Sequence, residues 1–428
     1  MPKKLTIAII VFVFCLPVLA LGNGFNLNGL CSRAAAMGGA FVGVADDFSA
    51  VFWNPAGAAG FRRTTFGFHA TDLMPKATYH WRSAIPEYPD IDAKTKLAHY
   101  LGWLAAFYRP VGPRVVVGLG LGTPSGLGAS WDGRDFMDAT FGDIYSWSSK
   151  VGVISISPLV AVKLSDAVSV GATFNLNYGM FNLKTPTGLF YIDGGLADLG
   201  QYEENMNGWG VGATLGLLIT PSEKFRAGLT VRTPSKVALN GSSLMTLAPL
   251  QGLQGSSDLK RRITWPLWVA GGVSFRPAPR LLLSADVHWT QWSKLARLTT
   301  EYLDAVWAPL MEDNNKDVRV LNWKDKAQFR FGAEYALNAT TALRAGYYFD
   351  PAPGPASTLN VFLPSHTYNA LTLGFGKTVG DLRLDFGLEY LTGNKRTADF
   401  EDVPPPGAMS GTYGMKIIVP AVSVSYTF

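Results

Sequence analysis

The feature that most limits the fold of this chain is a two-residue alternation of apolar and polar side chains that recurs along most of its length. From 382 to 390, Leu382, Leu384, Phe386, Leu388 and Tyr390 alternate with Arg383, Asp385, Gly387 and Glu389. Phe329, Phe331, Ala333 and Tyr335 do so against Gln328, Arg330, Gly332 and Glu334, and Phe225, Ala227, Leu229 and Val231 against Arg226, Gly228, Thr230 and Arg232. The C-terminus repeats the pattern with Ile418, Val422, Val424, Tyr426 and Phe428. Successive side chains of a strand point to opposite faces, so each segment is a strand with one apolar face.

A sandwich would alternate too, and the connections decide between them. Fourteen candidate strands fall near 61–72, 97–109, 113–123, 148–164, 167–184, 205–221, 223–240, 258–276, 280–297, 320–337, 340–350, 364–379, 381–395 and 412–428. The joins alternate between short turns, such as 109–113 and 276–280, and long loops. Short turns on one side, long loops on the other and an even strand count describe an all-β, 14-stranded antiparallel transmembrane β-barrel. Its apolar faces meet lipid and its polar faces the lumen. Closure leaves no unpaired backbone edge in hydrocarbon. Trp265, Trp268, Trp289, Trp292, Tyr390 and Tyr426 lie near strand ends and suit interfacial aromatic girdles.

Composition excludes the other classes. Charged residues make up 16% of the 428, below the usual level of about 25%, while Phe, Tyr and Trp number 25, 16 and 12. Disorder is ruled out by that aromatic content. Beyond the start of the chain no apolar run reaches the roughly 18 residues of a membrane-spanning helix. The net charge of +5 includes Lys3 and Lys4 and makes no case for nucleic acid.

Residues 1–22 read as a secretory signal peptide, with Lys3 and Lys4 before the apolar stretch 5–21 and small Ala20 and Gly22 at its end. Its removal takes away Cys15 and leaves Cys31 alone, so no intramolecular disulfide is expected. The barrel then occupies 61–428. Between them, 23–60 lacks alternation yet carries Phe25, Leu27, Phe41, Phe48, Phe52 and Trp53, which favours burial over a solvated linker.

This segment resembles the outer-membrane long-chain fatty-acid transporters of the FadL and TodX type. The resemblance rests on Gly24-Phe25-Asn26-Leu27-Asn28, on 33–40 from Arg33 to Ala40, on Ala45-Asp46-Asp47 and on Asn54-Pro55-Ala56. It implies an N-terminal hatch in the lumen, to which Phe25, Asp46, Asp47, Asn54, Pro55 and Ala56 belong. It also implies capture of ligand by outer loops, transfer to a lumen site, hatch rearrangement and sideways release at a kinked third strand, by a monomer. Physical reading of the residues agrees. Leu189, Phe190, Ile192 and Leu196 in one loop, and Leu244, Met245, Leu247, Leu250 and Leu253 in the next, form apolar stretches that would serve as ligand-binding surface. Gly118, Gly120 and Gly122 weaken the third strand before Thr123-Pro124 and mark the expected lateral gap.

The reading is therefore passive transport of hydrophobic molecules across the outer membrane of a Gram-negative-type cell, long-chain fatty acids first, in contact with outer-membrane lipid. It involves no cofactor, no metal site, no nucleic acid and no enzymatic step. Aromatic hydrocarbons by the same route are one alternative. A general polar porin is another, although it has no use for an apolar plug. Ser284 and His288 on one strand face would be needed for a lipid hydrolase, but no acyl-hydrolase motif accompanies them. The five histidines have no close metal spacing, and Gly118-x-Gly120-x-Gly122 opens no phosphate-binding helix. Gly120→Val is expected to impair uptake while leaving the barrel folded, as checked by transport assay alongside heat-modifiable migration of the barrel.

Overall fold

The computed structural model describes Gly24 and residues 27–83, 89–363, 365–400 and 404–428. The expected signal peptide and Phe25 lie outside the described residues. Fourteen strands form one closed barrel: β1 (Thr65–Trp81), β2 (Tyr100–Pro110), β3 (Val115–Trp131), β4 (Trp147–Lys163), β5 (Val168–Pro186), β6 (Gln201–Ser222), β7 (Phe225–Arg232 and Ser235–Met245), β8 (Ser256–Trp265 and Trp268–Ala278), β9 (Leu281–Thr290), β10 (Lys326–Asn338), β11 (Thr341–Asp350), β12 (Tyr368–Val379), β13 (Leu382–Ala398) and β14 (Gly411–Thr427). Each pairs antiparallel with its neighbours in sequence, and β14 closes on β1 through registers such as Phe66↔Tyr426 and Ala70↔Val422. Pro234 and Pro266, which lack an N–H to donate, interrupt β7 and β8.

The strands have the expected inverted polarity. On β13, Phe386 is 49% exposed on the outer face, whereas Asp385 and Glu389 are 3% exposed inside. Phe66, Phe68, Leu283, Phe331, Leu373 and Val422 continue the outer apolar belt. The girdle expectation holds only in part, because Trp265, Trp268 and Trp292 are buried inside the molecule. Trp265 and Trp268 flank the Pro266 break in the middle of β8 and Trp292 lies in the loop after β9, so none of the three stands at the lipid-facing end of a strand.

Several strands outrun their sequence limits. β1 continues to Trp81, β3 to Trp131, and β7 and β8 reach Met245 and Ser256. The ladders persist above the membrane, where lipid no longer demands an apolar outer face and the alternation that reveals a strand fades. Leu244 and Met245 consequently belong to β7 and not to a loop. In the other direction β9 stops at Thr290, and a long outer loop, 291–325, replaces the expected continuation. That loop contains a strand, Arg297–Tyr302, which pairs with the upper half of β8 and raises the wall.

Residues 27–60 fill the lumen. Two short helices, α1 (Ser32–Ala36) and α2 (Ala50–Trp53), and a 3₁₀ turn (Pro55–Gly60) carry Leu30, Met37, Phe41, Phe48, Val51 and Trp53 into a core shared with Leu104, Tyr108, Val116, Leu159 and Leu282 of the wall. The backbone approaches the wall so closely that Gly38, at φ +64°, has no room for a side chain: a Cβ would lie 2.7 Å from the Phe331 carbonyl. A second core lies above, beneath the outer loops, around Trp131, Phe136, Trp147, Phe190, Trp307 and Phe362.

Charge anchors the plug. Arg33 on α1 donates to both Glu334 oxygens of β10, at 2.7 and 2.9 Å, and to Asp46. Glu334 also accepts from Arg344 Nε at 2.7 Å. Asp286 of β9 accepts the Phe41 and Val42 amides, each at 2.8 Å. Removing one partner from a buried ion pair typically costs about 3–5 kcal/mol. Arg33→Ala is therefore expected to loosen the plug without opening the barrel, seen as increased ionic conductance in planar bilayers while heat-modifiable migration is retained.

Candidate functional site

Beside a cavity, the pairing of β2 with β3 is interrupted. β2 and β3 pair from Pro110↔Val116 to Leu104↔Gly122 and then separate, whereas β3 and β4 stay paired up to Trp131↔Trp147. The register of β3 against β4 shifts between Gly122 and Ser125. Pro124 lies within that shift and has no N–H for a ladder. Across the break, Thr123 Oγ1 accepts from the Trp103 amide at 2.9 Å and lies 3.3 Å from the Trp103 carbonyl, a side chain standing in for a missing backbone pair. The Pro124 carbonyl accepts the amide of Leu27, a plug residue, at 3.2 Å. Plug and kink are thus bonded directly.

A cavity of about 390 Å³ passes through this break. Its lumen end is formed by Leu27, Tyr348, Glu389 and Leu391, and its middle by Trp103, Thr123 and Leu127. Both faces of β4 line it, Val151 and Val153 inside and Lys150 and Ile154 outside, and Leu101 at the outer mouth is 74% exposed. A cavity lined by both faces of a strand traverses the wall. The glycines expected to mark the gap lie just periplasmic of it. Gly118, Gly120 and Gly122 are paired on both sides, to Tyr108, Ala106 and Leu104 of β2 and to β4. A Cβ on Gly120 would meet Val51 of α2 at 2.7 Å, so this position admits the plug against the wall, whereas a Cβ on Gly118 or Gly122 would meet β2 itself.

A second cavity, about 370 Å³, lies among the outer loops. Leu189 and Phe190 line it, together with Tyr202, Tyr302, Met311 and Phe362. The other loop residues singled out from sequence do not. Met245 is fully buried in the outer core and Ile192 and Leu253 pack against that core, whereas Leu196, Leu244 and Leu250 are exposed and Leu247 is half-buried. A charge cluster borders the same cavity: Arg261 donates to both oxygens of Glu204, at 2.7 and 2.9 Å. Lys316 Nζ lies over the Phe190 ring and 3.2 Å from the Thr187 carbonyl. Burial, and Arg319 beside it, hold the Lys316 ammonium below the usual lysine range.

Of the hatch residues named from sequence, Asp46, Asp47, Asn54, Pro55 and Ala56 lie in the segment that fills the lumen. Asn54 is fully buried; its Nδ2 donates to Val42 O and to Leu217 O of β6, both at 3.0 Å, and its Oδ1 accepts from Ala56 N at 3.1 Å. One side chain therefore ties two plug segments to the wall, with Pro55 opening the 3₁₀ turn behind it. Asp46 bridges Arg33 and Arg226. Asp47 Oδ1 accepts from Ser49 N at 2.9 Å and from Ser49 Oγ at 2.5 Å. Ser284 and His288 do not form a nucleophile pair, since Ser284 turns to the Gly332 carbonyl and His288 to Asp286.

The description "Outer membrane protein transport protein (OMPP1/FadL/TodX)" belongs to the family model that matches residues 13–428. The chain belongs to this family. A long-chain fatty acid transport protein of Salmonella typhi is 25% identical over 422 residues, spanning 90% of this chain and 91% of that protein. Among solved structures, a Pseudomonas aeruginosa FadL homologue superposes with a TM-score of 0.77 at 17% identity, covering 95% of this chain and 100% of its own. The Pseudomonas putida toluene transporter TodX reaches 0.73 at 16%, covering 94% and 99%.

As a member of the OMPP1/FadL/TodX family, the chain acts in the outer membrane in transport of hydrophobic molecules. Sequence reading missed residues that join the plug to the wall. Arg232 appeared only as an inward charge, yet it stacks against Phe52 and Trp268, 4.5 and 4.8 Å from the ring centroids, and donates to Phe52 O at 3.0 Å. Leu27 and Pro124 are far apart in sequence and carry no motif that pairs them. Asn54→Ala leaves the buried carbonyls of Val42 and Leu217 and the Ala56 amide without this partner, at about 1–3 kcal/mol for each unsatisfied group. The expected outcome is a barrel of unchanged strand content whose plug exchanges amide hydrogens faster, measured by hydrogen–deuterium exchange of 40–60.

Proposed function

We propose that this protein carries long-chain fatty acids passively across the outer membrane, with residues 1–22 as a cleaved signal, 23–60 as a movable hatch and 61–428 as a monomeric barrel. The outer cavity captures the ligand, the inner cavity holds it, and a shift of the plug widens the β2–β3 break so that the ligand leaves sideways into lipid. The observation that carries this reading is the cavity through the wall, bonded to the plug by Leu27 N and Pro124 O. Each CH₂ moved from water into an apolar passage gains about 0.8 kcal/mol, so an acyl chain needs few polar contacts there. No covalent step enters the proposal. A barrel that pairs β14 with β1 has no open edge to cover, which favours a monomer.

Aromatic hydrocarbons are the second reading, favoured by Tyr100, Trp103, Tyr348 and Tyr368 around the inner cavity. A polar porin is disfavoured by the apolar plug packed across the lumen.

The test is uptake of radiolabelled oleate by cells lacking their own fatty-acid transporter and expressing this chain. Trp103→Cys combined with Thr123→Cys places two thiols on adjoining strands across the break, suited to a disulfide. Oleate uptake is expected to fall at least about fivefold in the oxidised variant and to recover on reduction. Uptake that ignores the lock removes the lateral route, and competition by toluene favours the aromatic reading.

A further inference from the structure

The two cavities differ in the charges they offer. The outer one is lined by Lys316 and Arg319, the latter packed over the Phe362 ring at 5.7 Å, in addition to the Arg261–Glu204 pair, Asp198 and Asp317. Asp198 is engaged by Thr187 Oγ1 and Gly200 N, each at 2.8 Å. The inner passage is different. Its lumen end carries the carboxyl groups of Asp350 on β11 and Glu389 on β13, both 3% exposed, and among the described residues no lysine or arginine lines that end. Asp350 accepts from Asn28 Nδ2 at 3.2 Å and Glu389 from the Tyr348 hydroxyl at 2.9 Å. Arg330 lies behind Tyr348, 4.6 Å from the ring centroid, and donates to Asn28, Gln328 and the Gly38 carbonyl. His366 Nδ1 faces the Asn394 carbonyl at 3.1 Å. At the outer mouth stand Lys150 and the His99–Asp72 pair at 2.5 Å.

The outer cavity offers a ligand anion the cations of Lys316, Arg319 and Arg261 interspersed with the carboxylates of Glu204, Asp198 and Asp317, whereas the lumen end of the inner one offers the carboxyl groups of Asp350 and Glu389. Like charges in a site shielded from water repel strongly, because the low dielectric leaves the interaction unscreened. We infer that the inner passage selects for uncharged ligands through Asp350 and Glu389. It takes hydrocarbons, long-chain alcohols and the neutral form of a fatty acid, and turns back carboxylate and other anionic head groups. This inference rests on the passage proposed above and adds the head-group chemistry that passes through it.

The test compares uptake of radiolabelled hexadecanol, palmitate and hexadecanesulfonate, all below their micellar concentrations, by outer-membrane vesicles containing the full chain. The sulfonate stays anionic, whereas palmitate exchanges with its neutral acid. Wild-type protein is expected to take up palmitate at least about tenfold faster than the sulfonate. In Asp350→Asn with Glu389→Gln, whose amides keep an acceptor oxygen for Asn28 and Tyr348, the ratio is expected to fall to within about threefold. Sulfonate entering the wild type as fast as palmitate overturns the inference, and that comparison does not depend on the variant folding. An unchanged ratio in a folded variant overturns the assignment to these two residues. Background uptake of all three compounds overturns the transport reading itself, so the two failures are distinct.

Discussion

Backbone hydrogen bonding in hydrocarbon governs this molecule. Water is absent from the bilayer core, and each unpaired N–H or C=O there carries a penalty of several kcal/mol, so the chain closes β14 on β1 and leaves no edge. The break between β2 and β3 beside the inner cavity is accordingly provided with substitutes. Pro124 brings no N–H, Thr123 Oγ1 takes the Trp103 amide, and the Pro124 carbonyl accepts the Leu27 amide from the plug. A break that elsewhere would be prohibitive is tolerated because side chain and plug satisfy it, and for the same reason it is tied to the position of the plug.

The plug is held by a mixture of forces suited to a part that moves within a rigid wall. Apolar contacts of Phe41, Phe48, Val51 and Trp53 supply bulk. Direction comes from a few buried polar anchors: Arg33 with Glu334, Asp286 with the Phe41 and Val42 amides, and Asn54 between two carbonyls. Inward glycines let backbone meet backbone at Gly38, while Gly120 leaves room for Val51. Several charges on the lumen-facing sides of the strands are anchors of this kind. Arg226, Arg232, Asp286, Arg330 and Glu334 each touch the plug.

The route for a hydrophobic molecule follows from the same geometry. The outer cavity is walled by loops distant in sequence, 187–200 and 291–325, whose apolar residues divide between lining the space and packing as a lid. Phe190 does both, buried in the outer core and facing the cavity. Below it, the inner cavity crosses the wall where both faces of β4 are laid open, and its carboxyl-bearing lumen end differs from the space above, where cations and carboxylates are mixed.

Much of this was legible in the order of residues. Strand number, polarity of each face and the side on which turns lie follow from period two and loop length, because lipid outside and plug or water inside impose opposite demands on alternate residues. The apolar character of 23–60 pointed to burial, and Asn54-Pro55-Ala56 resembled the hatch of a known family. Other features depend on tertiary structure. Whether Met245 lines a cavity or fills a core, whether Trp268 faces lipid or the plug, and how far β3 runs beyond Gly122 are decided by residues more than a hundred positions away or by ladders that continue where no lipid marks them. The chain by itself determined a closed barrel with a filled lumen, since solvent and hydrocarbon act on every residue locally. Only the folded structure decided where the wall opens, because that depends on Leu27 reaching Pro124, a contact between segments with no local signal of each other.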